Sequence, residues 1–126
     1  MSILRDPDKN TFVEKMPEFN DTPGYEALAR VLTLAYSQSA HGKGANRHAK
    51  NRPFHAQPIT AIPHLLGGDL GTGGLAYQVI KKTQEAATMA ERELYNPSKH
   101  ELLGAIVYAA ALYLFVEAQQ QAKLQE

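Results

Sequence analysis

The 126-residue chain contains no cysteine. That excludes disulfides, thiolate metal sites and thiol nucleophiles, and it makes a cytoplasmic setting the simplest expectation. Net charge is missing as well, because thirteen basic and thirteen acidic side chains cancel. The chain as a whole therefore has no field to draw it onto DNA or an anionic membrane. Long apolar runs are also lacking. The longest uncharged apolar run, Leu102 to Val116, is 15 residues and includes Gly104, whereas about 20 are needed to cross the hydrocarbon core of a bilayer. The opening Met1-Ser-Ile-Leu-Arg-Asp-Pro-Asp8 carries acids and a proline where a secretion signal would need continuous apolar residues. These absences predict a cytoplasmic protein with no membrane partner, of a size that supports one core.

One further absence is local. No carboxylate stands between Glu26 and Asp69. Within that gap the stretch His41 to His55 gathers four basic residues, three histidines and two glycines. A loop of this composition carries an uncompensated positive field and invites an anion. Lys43, between Gly42 and Gly44, lies in unobstructed backbone, so its ammonium and the neighbouring N–H groups can converge on one phosphate or carboxylate. Arg47 and Arg52 supply planar donors for bidentate phosphate contact, and His41, His48 and His55 add hydrogen bonds. Phe54 is the candidate to stack on a base. The competing reading is a solvated loop that Pro53 and Phe54 pin to the core.

Two familiar roles do not fit. A P-loop needs four residues between its glycines, then Lys and Ser or Thr, after a strand; here the spacing is Gly42-Lys43-Gly44. Zinc sites place histidines three to five apart, while His41, His48 and His55 recur every seven residues. No metal ligands are expected, and His64 and His100 read as loop or helix-end residues. The five glycines between Gly67 and Gly74 predict a turn or loop, and the helix start beside it could complete an anion site.

Periodicity predicts an all-α fold with three principal helices and a short one. Residues 1–21 read as an extended or partly ordered arm ahead of a single helical domain, residues 22–126, with no convincing strand. Thr22 is placed as an N-cap with Pro23 at the first helical position. Tyr25, Leu28, Ala29, Leu32 and Tyr36 then form an apolar stripe that ends near Ser39. A helix of one or two turns starts at Pro58 and is limited by Pro63. The third helix starts at the glycine loop and stops before Pro97, with Lys81 and Lys82 on its wet face. Ser98-Lys-His-Glu101 has the pattern of a capping box that opens the fourth helix. That helix is apolar on nearly every side and must be buried, which predicts a homo-oligomer formed through it.

The runs His41-Gly-Lys-Gly-x-x-Arg47-His48, Pro53-Phe54-x-x-Gln57-Pro58-Ile59, Ala76 to Lys82 and Glu101 to Tyr108 resemble small phage-encoded helical proteins of unassigned function. The likeness covers roughly Gly24 to Val116 and implies a phage setting, with the host cytoplasm as location. Glu101-Leu-Leu-Gly104 is more weakly similar to the second carboxylate motif of MazG-type nucleoside triphosphate pyrophosphohydrolases. That resemblance implies magnesium held by helix carboxylates, with Glu85, Glu91 and Glu101 as the available set, although Gly104 stands where the motif has an aspartate.

The leading expectation is a binding protein without catalytic residues or a cofactor. It holds a small phosphorylated ligand, a nucleotide, on His41, Lys43, Arg47, His48, Arg52, Phe54 and His55, and the phage likeness suggests sequestration of a host immune signal. The alternatives are a magnesium-dependent pyrophosphohydrolase, or a protein or single-stranded nucleic-acid binder, which the balanced net charge does not favour.

Overall fold

The computed structural model describes residues 3–6, 11–14, 21–42 and 52–125. Contacts divide the chain into two compact units, Met1–Val31 and Leu32–Glu126. In the first unit, Ile3–Asp6 (β1) pairs antiparallel with Thr11–Glu14 (β2), with Ile3 opposite Glu14 and Asp6 opposite Thr11. Each strand is only 4 residues long, too short for alternation to register in the sequence. The fold is all-α apart from this pair.

Helix α1 runs Glu26–His41, so it starts later than Thr22-Pro23 predicts. Gly24 has φ +89°, which a right-handed helix excludes, and the segment closes a turn in which the Tyr25 amide donates to the Thr22 carbonyl at 3.3 Å. The Thr22 hydroxyl donates to Asp21 Oδ1 instead of capping the helix. The predicted stripe is not a core face either. Ala29 and Ala35 are buried, whereas Tyr25, Leu28 and Tyr36 stay more than half exposed.

In the second unit, Pro53 leads into a single 3-10 turn, Phe54–Ala56, and then α2, Pro58–Leu66. Pro58 occupies the first helical position, as predicted, but Pro63 lies inside α2 without ending it. Helix α3 spans Gly68–Glu91 and α4 spans Tyr95–Leu124. They form an antiparallel hairpin: the Ser98 hydroxyl donates to the Ala86 carbonyl at 2.7 Å near the corner, while Phe115 lies against Gly71 at the other end. The core is a small cluster of Leu75, Ala111 and Phe115, with Phe54, Ile59, Tyr108 and Leu112 packed around it.

Two sequence expectations are corrected here. The glycine-rich stretch is not a loop, because only Gly67 and Gly68 take positive φ and Gly71, Gly73 and Gly74 belong to α3. Packing decides this: a Cβ on Gly71 would stand 2.5 Å from both Phe115 Cζ and the Pro63 carbonyl oxygen, so a close crossing selects glycine despite its poor helix propensity. The capping box does not form, since α4 begins at Tyr95 and Ser98 is turned to α3. Pro97 sits in the first turn of α4, where a missing N–H is tolerated.

Helix α4 is covered by its own chain only in part. Among the described residues it is the helix long and apolar enough, by length and composition, to cross a membrane. Buried residues on α4 are Ser98, Ala105, Ala111 and Phe115.

Candidate functional site

The basic segment is tied to the helical body at both ends. Its first member, His41, is the exposed last residue of α1, with its ring edge-on to Tyr36 at 6.2 Å between centroids. One turn earlier, Gln38 Nε2 donates to the His100 carbonyl of α4 at 3.3 Å, and the Gly42 amide donates back to the Gln38 carbonyl at 3.1 Å. These bonds fix where the chain leaves α1.

The return end is held more firmly. Gln57 Nε2 donates to the Arg52 carbonyl at 2.7 Å, which sets the backbone from which the Arg52 side chain projects. The Thr60 hydroxyl, buried in the first turn of α2, reaches the carbonyls of Phe54 and Gln57. Phe54 itself is half-buried against the Leu75–Ala111–Phe115 cluster. Its ring is therefore a core anchor, which is the pinning role the sequence offered as the plainer alternative. Arg52 and His55 remain exposed beside it.

Thus His41, Arg52 and His55 are accessible on anchored backbone, and Phe54 faces inward. Lys43, Arg47 and His48 lie outside the described residues. The sequence reading missed Gln57 and Thr60. Their signal was the Gln57-Pro58 step, where a side-chain amide and a helix start follow the basic run.

Two of the three carboxylates of the hydrolase alternative, Glu101 and Glu85, have other partners. Glu101 Oε2 accepts from Lys82 Nζ at 3.3 Å, with both side chains about three-quarters removed from solvent. The same ammonium lies 5.8 Å from the centre of the Tyr108 ring, and the Lys82 stem passes over Gly104. Glu85 pairs with Lys81 along α3 at 3.8 Å. Among the described residues, no three of His, Asp and Glu form a group that could hold a metal ion. Gly104, where the weaker resemblance has an aspartate, is the residue that lets the lysine through.

His64, read from sequence as a loop or helix-end residue, stacks edge-on against Phe115 at 5.1 Å near the end of α2. Comparison of the chain with protein-family models, with curated proteins and with solved structures gives no match.

Proposed function

We propose that the protein binds a small phosphorylated ligand, of the nucleotide class, through the basic segment between α1 and α2, and does so without catalysing a reaction on it. The observation that carries this reading is the segment's composition: four Lys or Arg and three His, inside a stretch free of carboxylates from Glu26 to Asp69. Positive charge so concentrated along one stretch of sequence attracts an external anion, and a phosphate suits the Arg and Lys donors.

The anchors support it. A loop whose ends are fixed loses less conformational freedom on closing around a ligand than a free one. Arg52 and His55 stand on backbone already set by Gln57, Thr60 and the half-buried Phe54. The engagement of Glu101 by Lys82 and of Glu85 by Lys81 favours binding over magnesium-assisted hydrolysis, which needs carboxylates free to converge on the ion.

Titration calorimetry of the full chain with ATP, cyclic AMP and inorganic phosphate tests the reading. Binding of at least one probe is expected, with a loss of tenfold or more in Arg47→Ala and in Arg52→Ala. A wild-type chain that binds none of them, or variants that bind equally well, would remove it. Turnover of ATP in the presence of magnesium would replace it with the hydrolase alternative.

A further inference from the structure

Helix α4 carries two heptad seams, and α3 occupies only one. The side toward α3 is drawn from Ser98, Glu101, Ala105, Tyr108, Leu112 and Phe115, of which Ser98, Ala105 and Phe115 are buried and Glu101 is paired with Lys82. Each of the last five is followed by one residue of a second series: Leu102, Ile106, Ala109, Tyr113 and Val116. That series repeats at four and three, the spacing of helix packing at a shallow angle. One residue is about 100° of helix rotation. The second seam is therefore a quarter-turn from the first, the angle at which a helix in a four-helix bundle meets its two neighbours. Ile106 is half-buried, while Leu102, Ala109, Tyr113 and Val116 are exposed, with Tyr113 at 69%.

The same displacement on α3 leads from Gly71, Leu75, Gln78, Lys82 and Ala86 to Thr72, Ala76, Val79, Thr83 and Ala87, a series without a charge. Viewed from one end, two antiparallel right-handed helices wind in opposite senses, so a step of one residue turns both toward the same face of the hairpin. This face of the hairpin is thus uncharged on both helices. Helix α2 packs elsewhere, through the cluster that includes the buried Ala111, a residue on the opposite side of the α3 seam.

We infer that this face is covered by a second copy of the chain, with α4 antiparallel to its counterpart, so that two hairpins make a four-helix bundle. Charge placement selects the direction. On α4 the seam is bounded by Lys99 at its start and by Glu117 at its end; a parallel copy would set like charges side by side, and an antiparallel copy sets Lys99 beside Glu117 of its mate. Leu102, Tyr113 and Val116 are exposed large apolar side chains on this face, and a second copy would remove them from water. A bilayer is the poorer cover: a span of about 20 residues that contains Leu102 to Val116 would carry the flanking Glu101 or Glu117 toward the hydrocarbon core, where a charge is costly.

Sedimentation equilibrium of the full chain tests this, and a mass of twice 13.9 kDa is expected. Ala109→Asp and Tyr113→Lys should each sediment as monomers with helical circular dichroism retained, whereas Leu114→Lys, off the seam, should stay dimeric. Because the chain has no cysteine, a mixture of Lys99→Cys and Glu117→Cys chains reports direction: oxidation should join one variant to the other. A monomeric wild type overturns the inference. So do a predominant Lys99→Cys homodimer cross-link and co-sedimentation of the wild type with phosphatidylcholine vesicles.

Discussion

Lys82 leaves α3 and meets Glu101 on α4 at 3.3 Å by crossing directly over Gly104, whose missing Cβ would stand 3.2 Å from Lys82 Cδ. The glycine and the ion pair are therefore one feature. Glu101→Gln should cost about 1 kcal/mol, the scale of a partly desolvated pair. Gly104→Ala should gain little on its own, since roughly 1 kcal/mol of helix propensity is offset by displacing the lysine. In a Lys82→Ala background the same substitution should deliver its full gain. Urea unfolding of the four-member cycle measures this, and strict additivity would show that the residues are not coupled.

Gly71 and Gly73 separate packing from propensity within one helix. A Cβ at Gly71 meets Phe115 and the Pro63 carbonyl at 2.5 Å, while at Gly73 it meets nothing within 4 Å. A backbone carbonyl cannot move aside as a lysine stem can. Gly71→Ala should destabilise by about 1–3 kcal/mol through overpacking, and Gly73→Ala should stabilise by up to about 1 kcal/mol. Opposite shifts in the urea midpoint are the expected result.

Glu93 makes the corner between α3 and α4 with φ +62°. The Leu94 amide donates to the Met89 carbonyl at 2.9 Å and the Glu93 amide to that of Ala90 at 3.0 Å, the bond pair of a Schellman turn, whose left-handed position favours glycine. Glu93→Gly should raise stability by about 0.5–1 kcal/mol, because it removes the steric cost of a side chain in that region. A thermal melt shifted upward by a few degrees is the expected readout.

Phe54 links the basic segment to the core, so its substitution should be felt first as stability. Phe54→Ala is expected to cost about 2–3 kcal/mol, below the range for a fully buried phenylalanine. Phe54→Leu should recover most of the loss. Unchanged stability together with lost affinity for ATP would instead assign the ring to base stacking.

Helices were legible where neighbours along the chain decide. The stripes and the Pro58 start gave an all-α fold with three long helices and one short, and the charge pattern located the basic segment at His41 to His55 without any structure. Helix starts were less legible: Thr22 and Ser98 both have the chemistry of caps, yet Thr22 binds Asp21 and Ser98 crosses to Ala86. A hydroxyl satisfies whichever acceptor comes within reach, and the Ala86 carbonyl is reached only once the hairpin has closed.

What the sequence determined by itself is what depends on spacing along one chain: helical periodicity, the absence of thiol chemistry and the cations gathered between two carboxylates 43 positions apart. Tertiary structure alone decided the rest. It made a glycine cluster helical because Phe115 and Pro63 leave no room at Gly71, turned Phe54 into the core, and gave Glu101 to Lys82. It also left one seam of α4 uncovered. Each of these depends on residues far apart in sequence and close in space, whose packing and desolvation free energies exceed the local preferences that a sequence displays.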